Sequence, residues 1–281
     1  MYIGDDDCLM LGKLQSYLCW HPHVDADSDD DMCRAGRNPG RILPGILLTF
    51  AAQHAERPVS MIGEPVWPGR RPAEYPACAV HEALINAVFA GRDVAILCPY
   101  DAKNLPAGAV ADAHRTHPVM INEFGDRQPS ATYGDPVHTA ASFNYPLSPP
   151  PKHADSVRYE HRFQLRQVRA FVAAHAGQAG LSAERIADLT IAVNELATNT
   201  LEHTDGPGRL SMWTQDGTLH CQVEDSGQLT DPLAGRVPPA PQALRGRGLV
   251  LVNELCDLVR IYTVPGKTTV RLYTYLGRSA R

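Results

Sequence analysis

The chain has 281 residues, 44% hydrophobic and 20% charged. That length favours two domains with ordinary cores, and no run of about 18 apolar residues is present that could cross a membrane. The net charge of −5 divides into −7 through Val157 (12 Lys+Arg, 19 Asp+Glu) and +2 beyond it (14 against 12), so neither part is basic enough for nucleic acid as a direct ligand. Seven scattered cysteines without a C-x-x-C pair argue against a disulfide scaffold and for reduced thiols in a cytoplasm; the acidic start, Met1-Tyr-Ile-Gly-Asp-Asp-Asp-Cys8, lacks the basic region of a secretory signal.

Tyr2-Ile3 reads as the end of a short strand before an acidic turn, and residues 8–18 have helical spacing weakened by Gly12. Cys19, His21, His23 and Cys33 could be metal ligands, but they fit no common zinc spacing, and an exposed acidic loop explains the stretch as well. A helix follows from Asn38-Pro39 to about residue 55, then a strand from Val59, a helix over 74–89, an apolar strand over 94–98 and a helix over 105–114. Strands alternating with helices predict an α/β layer domain. The region has no G-x-x-x-x-G-K-[ST] and no G-x-G-x-x-G, so spacing alone gives it no nucleotide chemistry.

Four blocks in order, Gly36-Arg-Asn-Pro-Gly-Arg-Ile-Leu-Pro44, Gly63-Glu-Pro-Val-Trp-Pro-Gly69, His81-Glu-Ala-Leu-Ile-Asn86 and Leu97-Cys-Pro-Tyr-Asp101, resemble the DcmR-type sensory domain called MEDS. The resemblance covers residues 1–120 and implies a RecA-like α/β fold with a signal-sensing role. Between the first helix and the Gly-Arg-Asn-Pro block the family carries a further strand and helix. Residues 18–32 are too short and acidic to hold them, so an incomplete sheet is expected.

Residues 122–157 read as a linker between a first domain, 1–121, and a second, 158–281. The linker carries Pro129, Pro136 and Pro146, and Pro149-Pro150-Pro151 favours an extended, semi-rigid tether. An amphipathic helix over 165–176 follows, broken at 177–180. Leu181-Ser-Ala-Glu184 is a capping box that launches a long helix. On that helix Ile186, Leu189, Val193 and Leu196 form an apolar stripe. Glu195, Asn199 and either Glu202 or His203 share another face. A carboxylate one turn before a carboxamide can serve a hydroxyl and a hard cation such as Mg²⁺, although alone it could equally be a solvated face.

Asp205-Gly-Pro-Gly208 stops the helix, and alternating runs on either side of Asp216-Gly217 predict a hairpin. Asp225-Ser-Gly227 then offers a carboxylate to an exocyclic amine and a glycine to a flat ring. A Pro-rich mobile segment, 229–244, leads to Arg245-Gly-Arg-Gly-Leu249, whose helix start can meet phosphates. Two more strands, 258–263 and 268–275, end the pattern.

That order resembles the ATP-binding domain shared by gyrase, heat-shock chaperones, histidine kinases and MutL, an α/β sandwich. Within it the chain is most similar to the anti-sigma factor serine kinases, over residues 158–276. The resemblance implies that Asn199 ligates Mg²⁺, Glu195 is the catalytic base and His203 lies near the phosphates. It also implies that Asp225 and Gly227 recognise adenine, that Gly246, Gly248 and Leu249 cover the phosphates, and that Thr268 helps bind adenine. Lys267 stands where the family usually has Gly before that threonine.

The implied function is an ATP- and Mg²⁺-dependent serine/threonine kinase acting on an anti-anti-sigma partner, under control of a sensory domain. The alternative is a non-catalytic, ATP-gated module that grips a sigma factor or an antagonist. A sensor histidine kinase is third, because residues 161–183 are too short for a dimerising hairpin. Expected partners are an anti-anti-sigma factor, a sigma factor or both, and the reading admits a homodimer; it includes neither nucleic acid nor membrane.

Overall fold

Ser182 accepts a hydrogen bond from the Arg185 amide (3.4 Å) and starts the longest helix of the protein's computed structural model, which describes residues 2–4, 38–239 and 246–277. The helix expected over 8–18, the Cys19, His21, His23 and Cys33 set, and residues 240–245 lie outside the described residues. Two units form: one from His54–Thr139 with the first strand, the other from Asn38–Gln53 and the chain from Ala140 onward. Among the described residues no helix is long and apolar enough to span a membrane.

The first unit is α/β. Strand β1 (Tyr2–Gly4) lies parallel between β4 (Pro99–Asp101) and β5 (Val119–Ile121), and β6 (Arg127–Pro129) pairs antiparallel with β5. β2 (Val59–Ile62) and β3 (Val94–Leu97) form a second, parallel pair with Val59 opposite Val94. Parallel neighbours need a crossover, and helix α3 (Tyr75–Val88) lies between them in sequence. Its buried Cys78 joins Val66, Cys98, Tyr100, Leu105 and Met120 in one core, with Ala109 and Ala113 of α4 (Ala107–Thr116).

In the second unit five strands form a sheet in the order β10-β11-β9-β8-β7, antiparallel throughout. These are β7 (Asp155–Tyr159), β8 (Gly208–Gln215), β9 (Thr218–Asp225), β10 (Leu258–Val264) and β11 (Lys267–Tyr275). The β8–β9 turn is the expected Asp216-Gly217, with φ of +49° and +67°, a conformation that Asp tolerates and Gly adopts freely. Alternation along each strand sends Leu210, Met212, Leu219, Cys221, Val223, Val270 and Leu272 to one face. There they meet Val168 and Val172 of α6 (Leu165–Gln178), Leu189, Val193 and Leu196 of α7 (Ala183–His203), and Val252 of α8 (Gly248–Leu255). Arg185, in the first turn of α7, donates to the Tyr275 carbonyl (2.7 Å) and pairs with Asp257, tying that helix to the last strand.

The opposite face of this sheet is also covered. Arg271 donates to Gln222 Oε1 (2.7 Å) and to Ser148, and its guanidinium lies 5.0 Å from the Trp213 ring centre. Asn144 exchanges two hydrogen bonds with the backbone of Thr263 (2.7 and 3.1 Å). The stretch expected to be a tether thus holds helix α5 (Pro136–Ala141) and residues 144–148, which pack on the sheet, and β7 continues it as the edge strand.

His220 stacks on Trp213 (4.9 Å between centres, 6° between planes) against Tyr273. Burial and the Arg271 charge depress its pKa from 6.5 to about 4. Between those values the unfolded chain binds a proton that the fold excludes, so this residue lowers stability as pH falls from about 6.5 towards 4. Thermal melts over that range should show the melting temperature dropping more steeply for wild type than for His220→Phe; equal slopes would remove His220 as the cause.

Asn38 caps α1 (Pro39–Ile42), accepting from the Gly40 amide (3.1 Å), with Pro39 in the first turn. A π-helical turn, Leu43–Leu47, joins it to α2 (Leu48–Gln53). Asn38 is buried and donates to the carbonyl (3.0 Å) and Oδ1 (2.7 Å) of Asn253 on α8, while Arg41 pairs with Glu254 (2.9 Å). Asn253 in turn donates to the Gly235 carbonyl (3.0 Å), so one carboxamide joins α1, α8 and the segment before α8. Asn253→Ala leaves these groups without that partner, at about 1–3 kcal/mol for a buried group so stranded. Chemical denaturation should show the second unit weakened, and limited proteolysis should show faster cleavage within 229–239.

Candidate nucleotide site

The site is built on α7, on the end of β9 and on the start of α8. Apolar positions 189, 193 and 196 point into the core and turn Glu195 and Asn199, both half-buried, onto the neighbouring face. The start of α8 comes against that face. A Cβ on Gly248 would lie 2.9 Å from Glu195 Oε2 and 3.6 and 3.7 Å from the Asn199 amide nitrogen and oxygen. An added Cβ would push the Glu195 carboxylate aside and touch the Asn199 carboxamide. A carboxylate, a carboxamide and the first residue of a helix thus converge, with that helix's first-turn amides free of intrahelical partners.

A second cluster surrounds Asp225. Its Oδ2 accepts from the Thr200 hydroxyl (2.8 Å) and its Oδ1 from the Gly227 amide (2.9 Å). Tyr159, fully buried, donates to Thr200 (3.2 Å), and its hydroxyl is pushed up to about 12 by burial. The carboxylate is held in one orientation and keeps lone pairs for an outside amine. Thr268 stands opposite Asp225 across the β11–β9 pair and donates to the Gly227 carbonyl (3.1 Å). Its hydroxyl also meets Thr263 (2.9 Å), which accepts from the Leu229 amide (2.9 Å).

The two clusters share α7, because Thr200 follows Asn199. The structure therefore brings Glu195, Asn199 and Gly248 together, and likewise Asp225, Gly227 and Thr268. Leu249 is half-buried beside Gly248, and Gly246 is exposed with φ of +95°. His203 is exposed in the last turn of α7; its backbone carbonyl, not its ring, comes within 4.0 Å of the Cβ position of Gly227. Glu202, the other choice for that turn, pairs with Arg162 (2.7 Å).

Sequence reading missed Thr200, Tyr159 and Thr263. Thr200 had a signal: it continues the stripe 189, 193, 196, and a hydroxyl on a buried stripe needs a partner. Tyr159 and Thr263 carried none.

The residues present fit a nucleotide and a hard divalent cation: Gly248 keeps open the space between a carboxylate and a carboxamide oxygen, the donor types such a cation takes. The chain matches the family described as "Histidine kinase-like ATPase domain" over residues 159–274, and that described as "MEDS: MEthanogen/methylotroph, DcmR Sensory domain" over residues 24–118. Helices α1 and α2, which pack in the second unit, thus fall within the sensory-domain match.

Among curated proteins the chain is similar to an Anti-sigma F factor of Caldanaerobacter subterraneus subsp. tengcongensis. The two are 28% identical over 121 residues, 40% of this chain and 85% of that protein. Among solved structures it is similar to the RsbU and RsbW domains of a Mycobacterium tuberculosis protein (23% identity, TM-score 0.34), over 45% of this chain and about a third, 34%, of that one. It is also similar to the histidine kinase AdeS of Acinetobacter baumannii (10% identity, TM-score 0.28), over 44% of this chain and 68% of that one. The chain thus matches a sensory-domain family in its first part and an ATPase-type family in its second, and an ATPase-type domain implies nucleotide binding.

Proposed function

We propose that the protein is an ATP-dependent serine kinase of the anti-sigma type, acting on an anti-anti-sigma partner. The observation that carries this reading is the convergence of Glu195 and Asn199 on Gly248 at the start of α8. In this reading Asp225 accepts from the adenine amine, with Gly227 and Thr268 beside it, and the first turn of α8 meets the phosphates. Asn199 holds Mg²⁺, which when bound neutralises phosphate charge. Glu195 takes the proton of the partner's serine hydroxyl as that oxygen attacks the terminal phosphorus, and ADP leaves with the bridging oxygen. His203, Gly246 and Leu249 border the phosphates in the same reading.

The similarity to an Anti-sigma F factor supports a regulatory partner of the sigma or anti-anti-sigma type. Incubating the purified chain with radiolabelled ATP and an anti-anti-sigma protein tests it. Label on a partner serine is expected. Tight ATP binding with no label on any cognate partner would instead favour an ATP-gated clamp.

A further inference from the structure

The first unit holds a buried group that the nucleotide chemistry does not use. Glu82 sits in the middle of α3, Cys98 directly after β3, and His117 at the end of α4. They are 2%, 3% and 6% exposed, and their ligand atoms all lie within 4.8 Å of one another.

His117 Nδ1 faces two groups, and the Thr116 hydroxyl lies 3.0 Å from it. Nδ1 lies 2.9 Å from the Ala113 carbonyl, which can only accept, so Nδ1 carries a proton. In the neutral ring Nε2 is then a lone pair, and it lies 2.7 Å from Glu82 Oε2. Two acceptors that close need a proton or a metal cation between them. The contact is not aligned as a hydrogen bond, and neither Glu82 oxygen has a hydrogen-bond partner among the described residues. A carboxylate buried in that condition is costly unless a cation compensates it.

We infer that Glu82, Cys98 and His117 form a site for a late first-row divalent metal ion, with Zn²⁺ as the natural occupant. Imidazole, thiolate and carboxylate are all zinc ligands, and three protein ligands leave a fourth tetrahedral position for a small exogenous ligand. One thiolate and one carboxylate balance a doubly charged ion, so the filled site is neutral and suits its burial. The Ala113 carbonyl then plays the part of the outer hydrogen-bond partner that fixes a metal-binding imidazole. Filling the site displaces the Cys98 thiol proton. The ligands come from α3, from the β3–β4 junction and from the end of α4, so a bound ion would tie three elements of the first unit together.

The test uses the full chain, reduced and stripped of metal with a chelator, then titrated with Co²⁺ as a spectroscopic probe. One equivalent should produce a sulfur-to-cobalt charge-transfer band with the intense visible bands of a tetrahedral ion, and Zn²⁺ should abolish both. Cys98→Ser should remove the charge-transfer band, and His117→Gln should weaken Co²⁺ binding at least tenfold. A variant with both Cys19 and Cys33 changed to Ser should titrate like wild type. No sulfur-to-cobalt band in wild type, or a band that survives Cys98→Ser, overturns the assignment and leaves a proton-bridged Glu82–His117 pair. A band lost in the Cys19/Cys33 variant overturns it too, moving the site to the N-terminal stretch. If Cys98→Ser does not fold, X-ray absorption on the cobalt form of wild type decides: one sulfur among lighter ligands supports the site, and none or several refutes it.

Discussion

Glu195→Gln should lower phosphoryl transfer to the partner by about 10²–10⁴-fold while ATP affinity changes little. The substitution keeps the size of the side chain and one carbonyl oxygen, so the space against Gly248 is preserved. What disappears is the basic carboxylate, which in the proposed reading acts on the attacking hydroxyl and not on bound ATP. Partner labelling and calorimetric ATP affinity, measured side by side for wild type and variant, separate the two effects. Equal labelling by both proteins would exclude Glu195 as the base. A parallel fall in affinity would make it a binding residue instead.

The second large effect is expected at Asn199→Ala. Removing the carboxamide takes away the neutral oxygen assigned to Mg²⁺ but touches none of the apolar stripe of α7, so the fold should persist. Mg²⁺-dependent ATP affinity should fall by about 100-fold or more, which corresponds to about 3 kcal/mol. Calorimetry with and without Mg²⁺ checks this. Wild-type affinity for Mg·ATP in a folded variant would remove Asn199 from the metal position. The neighbouring Thr200 gives a contrast. Thr200→Val deletes the hydroxyl that holds Asp225, so its effect should appear in ATP affinity whether or not Mg²⁺ is present.

Much of the architecture around the candidate nucleotide site was legible because its parts are local. The Ser182 cap, the stripe of α7, the Asp216-Gly217 turn and the alternation of β8 and β9 all rest on spacings of one to four residues, and these follow directly from backbone geometry. The order of those elements pointed to the ATPase-type domain, and the family match over 159–274 agrees with it. The resemblance of the first part to the MEDS domain agrees likewise with the match over 24–118.

Local pattern could not say what holds Asp225. That depends on Tyr159 and Thr200, and Tyr159 lies on an edge strand in a stretch whose prolines suggested only a tether. Nor could it place 38–53 in the second unit, since Asn38 and Asn253 are 215 residues apart and each carboxamide alone looks like a surface residue. Composition similarly hid the packing of 144–148 on the sheet, where Arg271 and Ser148 lie 123 residues apart.

The sequence by itself determined helices α3, α6 and α7, the β8–β9 hairpin and the order of the elements in the second part. Each of those is a matter of period, cap or turn within a few residues. Tertiary structure alone decided that Gly248 closes on Glu195 and Asn199, that the Asp225 carboxylate points one way, and that Glu82, Cys98 and His117 meet in a buried core. Those outcomes depend on which side chains burial forces together, and a buried polar group takes its partner from whatever element packs against it, however far away in the chain.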